Sequence, residues 1–173
     1  YDENTDFDDN RIFMQRQSIG GSIYKVGDYG SNFTLGTMYE GIEVESNIPS
    51  FTNVENERDD YFKAFFNYEF KSIDDNRFTT RGMWLTSDFS FTDNLANGDN
   101  FIGIDPSLTF WNAIDDNRRL VFKSNIAGQL RMGDEPLFYQ AASLGGSSGL
   151  RSFRQERFTG NYALNASADL RYD

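Results

Sequence analysis

Between Asn161 and Tyr172 apolar and polar residues alternate without a break. Tyr162, Leu164, Ala166, Ala168, Leu170 and Tyr172 fall on one side, and Asn161, Ala163, Asn165, Ser167, Asp169 and Arg171 on the other. A period of two marks a strand with one apolar and one polar face, because successive side chains of a pleated strand point to opposite sides. The signature recurs upstream. Phe62, Ala64, Phe66, Tyr68 and Phe70 oppose Lys63, Asn67, Glu69 and Lys71, with Phe65 as an exception; Met83, Leu85 and Phe89 oppose Trp84, Thr86, Asp88 and Ser90. Ile102, Ile104, Pro106, Leu108 and Phe110 oppose Gly103, Asp105, Ser107, Thr109 and Trp111; Leu120, Phe122, Ile126, Leu130 and Met132 oppose Lys123, Asn125, Gln129 and Arg131. Two earlier segments, 11–26 and 32–45, alternate less cleanly. Gly20-Gly21 in the first predicts a bulge or bend. Pro106 cannot donate to a ladder and predicts a local irregularity.

The connections add a second pattern. Those near residues 28, 75 and 116 read as short, those near 53, 96 and 147 as longer, and Asp74-Asp75-Asn76-Arg77 recurs as Asp115-Asp116-Asn117-Arg118. Alternating turn lengths between strands of this kind predict an all-β fold, an antiparallel transmembrane β-barrel with the long loops outside. Seven strands do not close a bacterial barrel of even strand number, and open edges are not tolerated in a bilayer. Residues 1–173 are therefore expected to be part of one larger barrel domain, with strands missing on both sides. A soluble β-sandwich is the alternative that short alternating strands also allow.

Composition narrows the chemistry. The chain has 173 residues, 17 of them Phe, a net charge of -11, and neither Cys nor His. Imidazole and thiolate chemistry is thereby excluded, and no catalytic, metal or cofactor site is expected. Asp59-Asp60 and Asp115-Asp116 lack the spacing of a dedicated Ca²⁺ loop and read as solvated turn residues. The Gly145–Gly149 run lacks the Lys of a phosphate loop. Acidity argues against nucleic acid as a partner. No run of about 18 apolar residues predicts a membrane helix. There is also no signal peptide, which for an exported protein implies a mature, trimmed or partial sequence.

The most informative stretch is Ala141–Phe158. A flexible run, Gly145-Gly146-Ser147-Ser148-Gly149, leads into Leu150, Arg151, Phe153, Arg154, Arg157 and Phe158. On residues alone this is a surface loop with solvated charges, or a loop that folds back and docks through Arg and aromatic groups. Followed by the strand at 161–172, it resembles the Omp85 superfamily, outer-membrane barrels that insert or secrete other proteins. Leu150, Arg151 and Phe153 match the family motif, and Ser152 stands where Gly is usual. The 73–82 stretch, with its Asp74-Asp75-Asn76 turn and Thr80-Arg81-Gly82, resembles a turn of the same family.

The resemblance implies a bacterial outer-membrane location and a loop folded into the barrel, with the run that starts at Gly145 and Gly146 and ends at Gly149 supplying the bend. It implies that Arg151 pairs with a carboxylate of the lumen, with Asp169 or a residue beyond 173 as the candidate. The partners it implies are outer-membrane lipid, substrate polypeptides and accessory outer-membrane or lipoprotein subunits. No enzymatic activity is implied for the barrel itself. The remaining lumen charges, Lys63, Glu69, Asp88, Asp105, Lys123, Arg131 and Arg171, read as solvating a wet interior. A second reading is a barrel that only anchors a periplasmic or surface domain, for example a phosphoesterase or lipase.

Overall fold

The computed structural model describes residues 12–46, 58–134, 136, 137, 139–146 and 157–172. One seven-stranded antiparallel sheet holds most of them, in the order β1 (Ile12–Val26), β2 (Ser31–Ser46), β3 (Arg58–Ile73), β4 (Gly82–Asn94), β5 (Asn100–Ala113), β6 (Leu120–Gly133) and β9 (Tyr162–Tyr172). Between β6 and β9 a small hairpin is inserted, β7 (Ala142–Leu144) against β8 (Phe158–Gly160). All seven expected strands are present. Several run further than their alternation, because backbone pairing continues into polar residues: Asp59 still pairs with Ile42, and Asp93 with Asn100.

The registers align the faces. Leu35, Phe66, Phe89, Ile104, Leu130 and Tyr162 form one continuous row across β2 to β9 on the apolar face. Phe62, Phe66, Tyr68, Leu85, Phe89, Leu108, Phe122, Ile126, Leu164 and Leu170 all share that face, and most of them are exposed. The burial is inverted relative to a water-soluble sheet. Ile42, Val44, Tyr61, Phe101, Ala113 and Val121 are buried, and all lie on the opposite, mainly polar face. Among the described residues no second sheet covers the apolar side, as a sandwich would require.

Three local expectations are corrected or explained. Gly20-Gly21 makes no bulge: the β1–β2 register runs unbroken from Ile12–Ser46 to Val26–Asn32. Gly20 supplies closeness instead of slack, since a Cβ there would sit 2.5 Å from the Thr37 carbonyl oxygen. Phe65 breaks the polar pattern because its ring lies over Gly36, where a Cβ would come within 2.5 Å of it. The alternation of turn lengths does not hold throughout, since the β4–β5 connection, 95–99, is shorter than the β3–β4 turn, 74–81. Pro106 acts as expected: β5–β6 pairing lapses at Asp105 and Pro106 and resumes at Ser107–Ala127 in the same register.

Candidate functional site

The chain leaves β6 at Gly133, whose φ of 122° and close approach to Asn100 exclude a side chain. Asp134 and Asn100 then exchange hydrogen bonds, the Asp134 N–H to the Asn100 carbonyl and the Asn100 N–H to Oδ2 of Asp134. Instead of leaving the sheet, the segment 139–146 lies on the polar face. Arg131 Nε donates to the Gln140 carbonyl at 3.0 Å, and Oε1 of Gln129 accepts the Ser143 N–H at 2.7 Å. The Tyr139 hydroxyl meets that of Tyr61 at 2.9 Å and donates to Oδ2 of Asp59. It packs against Ile42, Val44 and Tyr61, and burial pushes its hydroxyl up to about 12. Ala142 is buried, and Leu144 reaches mid-depth, beside Asp88, Asp105 and Asn165. Gly145 and Gly146, with φ of 138° and 57°, then turn the chain, and it returns as β8.

Beneath this strap and beyond it the polar face is knitted, not simply solvated. Arg131 grips Asp105 with both terminal nitrogens. Asn125 bridges Ser107 and Thr109, Asn67 binds Asp88, and Glu69 accepts from Asn32 and the Trp84 indole. Lys71 lies over Trp84, with its nitrogen 4.9 Å from the ring centre. A pocket of about 290 Å³ remains between sheet and strap, lined by Arg16, Glu40, Lys63, Asp105, Arg131 and Tyr139 among others.

No family model matches the sequence, and no curated protein matches it. Among solved structures the chain is similar to BamA from Haemophilus ducreyi lacking POTRA domains 1–3, with a TM-score of 0.74 and 17% identity. The match covers 91% of this chain and 37% of that one. The fold is that of a BamA-like barrel. Among the described residues the sheet is an open run of seven strands, and the chain spans 37% of the length of the BamA chain it matches.

In the BamA-like arrangement the strapped polar face is the interior. Of the Gly145–Gly149 run, Gly145 and Gly146 are among the described residues, and both have positive φ. Leu150, Arg151 and Phe153 lie outside the described residues. Asp169 is on the interior face of β9, in register with Lys123, and among the described residues no hydrogen bond or ion pair engages it. Sequence reasoning missed three things: the Arg131–Asp105 grip, the Tyr61–Tyr139–Asp59 contact, and the entry of the strap before residue 145. The one available signal was Gly103, which faces Arg131 across the ladder and leaves room for its guanidinium.

Proposed function

We propose that this chain is part of an Omp85-type barrel of the bacterial outer membrane that inserts proteins into that membrane or moves them across it. The β1 and β9 edges would be completed by further strands of the same barrel domain, since unpaired edges find no water in a bilayer. The apolar face would meet outer-membrane lipid, and substrate polypeptides and accessory subunits would act at the seam, the pore or the periplasmic rim. The observation that carries this reading is the strap, a loop arm folded onto the polar face and held there by Arg131 and Gln129.

Arg151 completes the reading as a lock on Asp169 or on a carboxylate of a following strand, with Leu150 and Phe153 packed beside it. Its reach is sufficient. Leu144 is level with Asn165, and Asp169 lies about 13 Å further along β9. The five residues after Gly146 can span up to about 17 Å.

The test uses the full-length protein. Arg151→Ala should impair complementation and lower the temperature at which the compact gel form is lost, with Arg151→Lys rescuing only in part, because an ammonium lacks the two-point contact. Wild-type behaviour of Arg151→Ala would overturn the lock. Depleting the protein should lower the level of other barrel proteins in the outer membrane or trap secreted ones. Unchanged levels of both would overturn the insertion or translocation activity and leave an anchoring barrel.

A further inference from the structure

At the other end of the sheet, the β3–β4 turn does not project straight out. Arg171 Nη2, on β9, donates to the Thr79 carbonyl at 3.2 Å. The two residues are 92 apart in sequence, and β5 and β6 lie between their strands. Three strand spacings, roughly 14 Å, separate β4 from β9, and the lean of the turn and the long Arg171 side chain close that gap between them. The row it crosses is closed. Ala113, Val121 and Arg171 are successive register partners on that face, and Ala113, Val121 and Thr79 are all buried, Val121 to 1% exposure.

The turn is also built to hold a shape. Asp74 accepts the Thr80 hydroxyl and the N–H groups of Asp75, Thr80 and Arg81. Asp75 accepts those of Arg77 and Phe78, and Thr79 Oγ1 donates back to the Asp75 carbonyl. From the neighbouring turn Arg118 approaches Asp74 at 3.8 Å. A segment so internally bonded moves as a unit about its two ends.

We propose that the β3–β4 turn is a cap that closes the mouth of the barrel on its own side, latched by Arg171 on the Thr79 carbonyl. The strap covers the interior near the opposite end, so the resting lumen is obstructed on both sides. Passage of a chain or of ions through that mouth requires the Arg171 latch to open. The cap needs the barrel but not the insertion or secretion activity, so the two stand or fall separately.

Val121→Cys reports on the cap. In the full-length protein held in lipid nanodiscs, a bulky maleimide should label Val121→Cys slowly. Adding Arg171→Ala should raise the rate roughly tenfold or more, the effect of losing one charge-assisted hydrogen bond from a two-state closure. Adding Arg171→Lys should keep most of the protection, because an ammonium can still donate to the Thr79 carbonyl. Equal labelling rates with Arg171 and with Ala at that position would overturn the cap. Where the Ala variant fails to fold, a Thr79→Cys/Val121→Cys pair with Arg171 intact gives the same decision. A short bifunctional thiol reagent should cross-link it, and no cross-link in folded protein would overturn the proposal.

Discussion

Arg131 concentrates more contacts than any expectation from the sequence placed on it. Its guanidinium holds Asp105 through both terminal nitrogens, the Gln140 carbonyl through Nε and the Leu130 carbonyl through Nη1, joining β5, β6 and the strap. Its side chain is 13% exposed and that of Asp105 37%, so solvent weakens the pair from one side only. Arg131→Ala should therefore destabilise the strap by about 1.5–3 kcal/mol, the range for hydrogen bonds to charged groups and short of a fully buried pair. Arg131→Lys should recover part of this, since an ammonium can meet Asp105 but not the strap carbonyl in the same plane. Urea unfolding of the full-length protein in lipid, with limited proteolysis of 139–146, would measure both; wild-type stability of Arg131→Ala would sink the assignment. The pair was not legible from alternation, because Arg131 lies across from Gly103 and reaches Asp105 diagonally. Only the register reveals it, and period-two patterns fix faces without fixing register.

The short turns depend on carboxylates that accept backbone N–H groups. The Thr80 hydroxyl, followed by the backbone of Arg81 and Thr80, holds the Asp74 carboxyl well below its usual range. Phe78 and Arg77 N–H groups lower the pKa of Asp75, and the Leu120 N–H that of Asp115. A carboxylate whose folded pKa is depressed contributes stability that is fully present above its unfolded value, about 4, and is lost as pH falls below it. The β3–β4 turn should thus be indifferent to pH between 5 and 8 and loosen in acid. Proteolysis or amide exchange of 74–81 would show this, and Asp74→Asn should remove most of the acid response. A turn that loosens between pH 6 and 7 would contradict the assignment. This Asp-rich turn was legible, because Asp and Asn carry their own turn chemistry. The main strands were legible too, since each has one face that meets a different medium. Hairpin β7–β8 was not: three-residue strands are too short to show a period. Nor was the reach of Thr79 to Arg171, which depends on how the turn leans and not on any local preference.

The molecule as a whole is organised around an apolar band on one face and a hydrogen-bonded polar network on the other. Along β3 the band runs from Phe62 to Phe70, about 26 Å of strand, at the lower end of the roughly 9–11 residues with which a tilted strand crosses a bilayer. Beyond Tyr39 and Phe62 the same face turns polar, with Gln17, Glu43, Arg58 and Asp60, and Arg58 pairs with Asp60 there at 3.0 Å. Depth in the bilayer then predicts a graded response to charge. Phe66, between Leu35 and Phe89 in the middle of the band, should tolerate charge worst: Phe66→Arg should cost about 2–4 kcal/mol. Phe62→Arg, next to Asp93 at the border, should cost about 0–1 kcal/mol, because the side chain reaches the interface. Asn67→Arg faces the interior beside Asp88 and should be nearly neutral, which separates the effect of the medium from that of the strand. Urea unfolding of the three variants in vesicles reads the order directly. In a water-exposed sheet, Phe66→Arg would fall within about 0.5 kcal/mol of wild type, as surface substitutions do. That result would remove the membrane from the account and leave the polar face as an ordinary surface.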